Sequence, residues 1–393
     1  MKNRFMLLAL FLAFACSEKK PQEIYQGKLE ELIVGDFGLI KDSLTKNFWN
    51  LRIVTEGDSE FILYTKSASK FKGWAFIFAS TQTGKEVRRI EIPTEGPEAI
   101  KAGVLLNIVP SISNVFIINY LGDIADYNES GKQAFFYSFE GMRKSATESL
   151  GFTNYGGLIT YCDSTIQMGR NPNRSVNSKS NIGPGELKTE FSIDFNEWLI
   201  SVDLKSGTVK KSIFKIPDGY EVFKNDPTST RLYGAFDSQR DKTYLMWPGS
   251  SQIFILKKLE LLEKITPKSK VEFNYLPAET IPWGAHATVY QLPKEGSQNI
   301  FLLFDSSKDL IIKCTKINES GVSETNFDRT KHYVLSIFSG EWEPKGEYFF
   351  DFETELEVEN WFLTSEGLFI NKPEQKSEDE YEFWKIDLSR FAD

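Results

Sequence analysis

His286 and His332 are the only imidazoles in a chain of 393 residues, and Cys16, Cys162 and Cys314 are its only thiols. Metal centres built on nitrogen and sulfur need several such ligands at close spacing. No Cys-x-x-Cys, His-x-x-x-His or His-Glu-x-x-His is present, so neither a metal nor another cofactor is expected. The acidic run at 351–359 (DFETELEVE) alternates charge with apolar residues, as a half-exposed strand does, and lacks the pattern of a calcium loop. Nucleophilic catalysis asks for a Ser or Cys held by a base. His286, within PWGAHA at 282–287, could be such a base or a packed loop residue, and no Gly-x-Ser-x-Gly elbow accompanies it. His332 opens a strand pattern and reads as structural. Phosphate-cradling glycine motifs are absent as well. Among 55 acids, spacing along the chain cannot select the paired carboxylates of a glycoside hydrolase. No catalytic residue is assigned.

Groups suited to holding a ligand are easier to find. A polar stretch at 167–190 carries Arg170, Arg174, Lys179 and Lys188 against Glu186 and Glu190. Long irregular loops in compact domains often serve recognition, and Arg170 and Arg174 offer the planar fork that clamps carboxylates. Trp247 precedes Pro248-Gly249, and Trp283 lies between Pro282 and Gly284. Both indoles fall at strand ends, where a face can stay open to a sugar ring. Trp74, Trp198, Trp361 and Trp384 lie inside strand patterns and read as core. The candidate ligand-binding set is therefore Arg170, Arg174, Trp247, Trp283 and His286. A net charge of −9 disfavours nucleic acid as a partner, because phosphate binding needs surplus cations.

Strands must position these groups. From Ile24 onward, period-two runs rich in Phe, Ile, Val, Tyr and Trp recur every 8–14 residues, the mark of antiparallel strands. Only 256–265 (LKKLELLEKI) could pass for a helix, and its place in the series reads as a strand pair. A strand–turn–strand unit repeats at 74–93, 123–139, 198–217 and from 310, with Gly84, Gly131, Gly207 and Gly321 in the turns. Glycine is suited there because it takes positive φ without strain. Weaker copies lie at 252–265 and 381–388. Six units of roughly 60 residues match four strands each. The predicted fold is all-β, a six-bladed β-propeller of four-stranded antiparallel blades; a seven-bladed ring and two stacked sandwiches are the alternatives. The last unit stops after a third strand, and 29–34 (LEELIV) is an unassigned strand. Pairing these two ends would close the ring and remove an exposed sheet edge. Cys162 and Cys314 fall in different repeats and are expected as separate buried thiols.

Lys2 and Arg4 precede ten apolar residues at 5–14. That run is too short to span a bilayer as a helix, which needs about 20, but it suits the core of an export signal. The segment ends Ala13-Phe14-Ala15-Cys16-Ser17, which resembles bacterial lipoprotein signals, where the Cys is lipidated and becomes the first mature residue. The resemblance implies a lipid anchor at Cys16 and attachment to the cell envelope. With Ser17 in the next position, the outer membrane is the expected site. A plain secretory signal with an incidental Cys is the alternative. The organisation reads as a signal at 1–16, a polar tether at 17–28 and a single propeller domain at 29–393.

The mature chain as a whole resembles a family of exported Bacteroidota lipoproteins grouped as a domain of unknown function, six-bladed propellers of TolB or NHL type. The likeness is carried by the signal ending in Cys16, by the unit closing on Ile90-Glu91-Ile92-Pro93, and by Glu95-Gly96-Pro97-Glu98 directly after it. The family implies no catalytic residue and no cofactor. The expected function is a membrane-anchored, non-catalytic module that binds a protein, peptide or glycan at the cell envelope. A carboxylate-based exported hydrolase or lyase and a scaffold subunit of an envelope complex are the rivals.

Overall fold

A computed structural model of the chain describes residues 23–41, 49–68, 72–100, 106–143, 150–152, 158–171, 195–223, 229, 231–277, 279–283, 287–291, 296–317, 331–352 and 360–392. The signal with Cys16, Arg174 and His286 lie outside them. Six antiparallel sheets follow one another along the chain. The first blade is Trp49–Glu56, Ser59–Ser67, Gly73–Ser80 and Glu86–Pro93. The second is Leu106–Ser111, Asn114–Ile118, Ile124–Asn128 and Gln133–Tyr137. Thr160–Cys162, Thr165–Asn171, Glu197–Asp203 and Val209–Ile213 make the third. Tyr233–Asp237, Lys242–Met246, Ile253–Lys257 and Glu260–Ile265 make the fourth. The fifth holds Gln298–Asp305, Leu310–Lys316, Lys331–Ser339 and Pro344–Phe352. The sixth begins with Phe362–Thr364, Gly367–Asn371 and Glu380–Ile386. A hairpin, Glu279–Trp283 with Ala287–Gln291, is inserted between the fourth and fifth.

Successive strand residues point to opposite faces, and both faces of each blade meet a neighbour. Third strands such as Gly73–Ser80 and Ile253–Lys257 therefore read as nearly continuous apolar runs. In Gly73–Ser80, Ala75, Ile77 and Ala79 pack toward the sixth blade, while Phe76 and Phe78 pack toward the second. Buried cores lie in the same way between every adjacent pair, including the sixth and first. Contact all the way round makes the molecule a six-bladed β-propeller and rules out stacked layers.

The N-terminal segment completes the ring. Ile33–Ile40 pairs antiparallel with Glu380–Ile386 and is the fourth strand of the sixth blade. Its Leu39, fully buried, joins the core between blades six and one. The expected closing strand at 29–34 begins later than its apolar pattern implies. Leu29–Leu32 is a 3-10 turn, and its two leucines, three apart, share one face buried between blades five and six. Ahead of it, Gln26–Lys28 adds a fifth strand to blade five, parallel to Pro344–Phe352. Nothing in the strand pattern announced that addition.

Two further expectations change. The unit starting at 310 is out of step with those at 74, 123 and 198, which open on third strands: Leu310–Lys316 is the second strand of its blade. In the third-to-fourth turn of that blade the positive φ, 64°, falls on Trp342 instead of a glycine. Cys162 and Cys314 are both unbonded, as expected, but Cys162 is exposed rather than buried.

Antiparallel order places every first-to-second and third-to-fourth turn on one face. The remaining connections lie on the other. The first face consists of tight turns: Asp203, Asp237 and Asp305 each accept main-chain N–H groups two and three residues ahead, the bonding that stabilises Asx turns. Third-to-fourth turns also bear on the outer strand of the preceding blade, as where Ile40 N donates to Gly84 O at 3.0 Å. At Gly84 (φ 65°) a Cβ would lie 2.0 Å from Gly38 O, and at Gly131 (φ 71°) 1.9 Å from Glu91 O. Conformation and space both demand glycine at these two sites.

Gly57 provides the comparison, with φ of 59° and no atom within 4 Å of the place a Cβ would take. Urea unfolding is expected to show a loss of about 1–2 kcal/mol for Gly57→Ala, the cost of left-handed backbone. Gly84→Ala and Gly131→Ala are expected to lose roughly 2–5 kcal/mol, since the blades must also move apart. Equal losses at all three would contradict the interblade role.

Candidate functional site

The first strands of blades six and one, one and two, two and three, and four and five contact one another near the axis. Each pairs with its second strand on one edge, and among the described residues no strand pairs with the other edge. Main-chain N–H and C=O groups on that edge are available to whatever occupies the centre. Two adjacent inner strands are also irregular. The register of Trp49–Glu56 shifts between Trp49 and Arg52, and that of Leu106–Ser111 shifts between Ile108 and Ser111 around Pro110. Bulges re-aim side chains, and proline withdraws a donor from the ladder.

A cavity of about 210 Å³ lies at this irregular patch, lined by residues of the first three blades: Arg52, Ile53, Val54, Thr55, Leu63, Ile108, Val109, Pro110, Ile159 and Tyr161. The aliphatic side chains belong to interblade cores: Ile53 toward blade six, Val54, Leu63 and Val109 between blades one and two, Ile108 and Ile159 between two and three. What remains for the cavity is the Arg52 side chain with Thr55, Pro110, Tyr161 and main chain. Arg52 Nη1 donates to Asn107 O at 3.0 Å, bridging blades one and two. No carboxylate partner faces it among the described residues. Burial pulls its pKa down to about 10, still far enough above neutrality to keep the charge. A half-buried guanidinium that no described carboxylate pairs can accept an anion. Sequence alone did not single out Arg52. The available signal was a lone cation between Leu51 and Ile53 in an apolar strand.

Of the residues that sequence did single out, the side chains of Arg170 and Trp247 are described, and both are enclosed. Arg170 is buried on Thr165–Asn171, a strand that extends into what reads as loop at 167. It donates to Glu197, whose carboxylate Lys211 Nζ also reaches at 3.1 Å, and its guanidinium carbon lies 5.6 Å from the Phe195 ring. Arg170 is thus held in an internal ion cluster and is not presented as a ligand clamp. Trp247 is fully buried, with ring centroids 5.3 Å from Trp198 and 4.7 Å from Phe254. The turn after it is covered by the next blade, whose Asn299 Nδ2 donates to Trp247 O at 3.1 Å and Ser250 O at 2.7 Å. That cover removes the face expected for a sugar. Trp283 ends the inserted hairpin, but its side chain, like Arg174 and His286, lies outside the described residues. His332 Nδ1 sits 2.6 Å from Asp351 Oδ1 on the paired strand.

Two other titratable groups are perturbed by burial. Lys313, on the second strand of blade five, has its amine pulled down to about 8 by burial, opposed by the Glu347 carboxylate, and lies 5.9 Å from the Phe273 ring. Asp126 is pushed up by burial, against a hydrogen bond from Asn114 at 3.4 Å. Neither lines the axial cavity. Among the described residues, no group of three His, Cys, Asp or Glu side chains could hold a metal ion, and no helix is long and apolar enough to cross a membrane.

No protein-family model and no curated protein matches the chain. Among solved structures it is similar to a crystal structure of a DUF4221 family member from Bacteroides vulgatus, with TM-score 0.66 and 13% identity over 91% of this chain and 97% of that one. It is also similar to a Bacteroides fragilis protein described as exported, with TM-score 0.48 and 11% identity over 92% and 99% of the two chains. BamB from Moraxella catarrhalis follows at TM-score 0.34 and 10% identity over 86% and 69%. The first likeness supports the fold across nearly the whole ring, and it matches the resemblance to a domain of unknown function. Identities this low assign no activity.

The ion cluster at Arg170 gives a stability test. Removing its carboxylate by Glu197→Ala strands two cations, one of them fully buried, and urea unfolding is expected to show a loss of about 3–5 kcal/mol. A loss under about 1 kcal/mol, the scale of an exposed pair, would return Arg170 to the list of ligand-facing groups.

Proposed function

We propose that this chain is an exported, lipid-anchored propeller that binds a ligand at its axis without turning it over. The observation that carries the binding reading is the axial cavity, where irregular inner strands gather Arg52 and main-chain strand-edge groups. A protein, peptide or glycan is the proposed ligand class, and nucleic acid is not. The anchor would be Cys16, at the end of the export signal. The path of the described chain supports a definite orientation. Tyr25 O accepts from Glu347 N at 2.9 Å, and Gln26 pairs with Glu347 near the Pro344 end of the outer strand of blade five. That end belongs to the tight-turn face. Glu23, ion-paired with Lys270 at 3.3 Å, stands seven residues after Cys16, a reach of at most roughly 25 Å. A lipid at Cys16 would hold the tight-turn face toward the outer membrane and turn the opposite face outward.

Two measurements test this reading. Cys16→Ala is expected to abolish metabolic labelling by radioactive palmitate and to move the protein from the membrane pellet to the soluble fraction. Unchanged labelling and fractionation would remove the anchor. On glycan and peptide arrays, the full chain is expected to retain ligands whose masses are unaltered after release. Release of a shortened product would make the protein an enzyme.

A further inference from the structure

The cavity at Arg52 restricts its occupant in three ways. Its one described cation lacks a carboxylate partner and keeps guanidinium N–H groups beyond the single bond to Asn107 O, so the complement is one anionic group. A carboxylate fits this fork in a planar, two-bond arrangement that a point charge does not use. The main-chain amides and carbonyls of the inner strands ask for a molecule rich in donors and acceptors. Aliphatic lining residues turn their side chains into the interblade cores and so offer little grip to a fatty chain. The volume, about 210 Å³, equals the liquid share of about seven waters, enough for a single sugar-sized unit and too little for an extended oligomer.

The geometry points to a sugar-acid monocarboxylate as the occupant of this cavity, its carboxylate on Arg52 and its hydroxyls on main-chain groups along the inner-strand edges. The assignment rests on the binding reading above and gives its ligand a chemical class. It also supplies the counter-charge that the described residues do not give Arg52.

Isothermal titration calorimetry on the purified full chain tests it, with sodium glucuronate as probe and glucose as its uncharged counterpart. Glucuronate is expected to bind at least tenfold more tightly than glucose. Arg52→Met should lose at least tenfold in glucuronate affinity with little change in Tm, because a half-buried side chain with one main-chain bond is removed. Arg52→Lys, which keeps the charge but not the fork, should fall between. Equal affinity for glucose and glucuronate, or full affinity in Arg52→Met, overturns the assignment. A lowered Tm in Arg52→Met together with no glucuronate binding by the wild type would make Arg52 a structural staple between blades one and two. Tighter binding of a tripeptide carboxylate than of glucuronate would replace the sugar acid by a peptide terminus. None of these results touches the anchor or the absence of turnover, which stand or fall by the fractionation and array measurements.

Discussion

A single pairing, Ile33–Ile40 against Glu380–Ile386, decides whether the six sheets make a ring. Without it the sixth blade would expose the edge of its third strand, and the core between blades six and one would lose Leu39. An open edge of that kind invites pairing with other chains. The chain strengthens the joint by running on both sides of it: Gln26–Lys28 covers the outer edge of blade five, and Leu29 and Leu32 fill the core between blades five and six. Asp387 N donates to Leu32 O at 2.9 Å, so the two ends of the chain also meet in the connecting turn. The residues farthest apart in sequence are thus among the most firmly held together.

Closure allows the two faces to differ. On one, short Asx turns and glycines let each blade bear closely on the one before it, and polar contacts cross the seams. Arg240 donates to Asp309 at 2.7 and 2.6 Å across blades four and five, and Glu60 accepts from Ser365 across blades one and six. Such exposed contacts contribute little individually; their value is to hold register while the apolar cores supply the energy. With the blades fixed from that side, the inner strands can depart from ideal pairing near the axis. The shifts around Arg52 and Pro110 leave a polar cavity inside an otherwise apolar ring.

Much of the fold was legible because propeller strands repeat one local pattern. Runs such as 74–79 and 198–200 meet a neighbour on both faces and are therefore apolar, and the turns of the repeating units advertise Gly84, Gly131 and Gly207. The pattern misleads where a different local structure shares its spacing. Leucines three apart at 29 and 32 serve a 3-10 turn as well as a strand, and in the turn after Ser339 the positive φ falls on Trp342, two residues past Gly340. The site was less legible for a physical reason. Reading arginines and tryptophans by their neighbours in sequence put Arg170 and Trp247 in the open, whereas contacts with Glu197 and Asn299 enclose them. Arg52 went unremarked because a cation in an apolar strand gains meaning only when the facing blade is known.

The closed ring itself is tested most directly by a disulfide across its joint. Gly35 and Lys385 are register partners, and a side chain at Gly35 would meet nothing within 4 Å. With the native thiols at 162 and 314 replaced by Ser, the Gly35→Cys, Lys385→Cys chain should oxidise to an intramolecular disulfide in near-quantitative yield. It should then unfold at higher urea than its reduced form, because the bond closes nearly the whole chain into one loop. Failure to form that bond under oxidation, or crosslinking only between molecules, would contradict the closed ring.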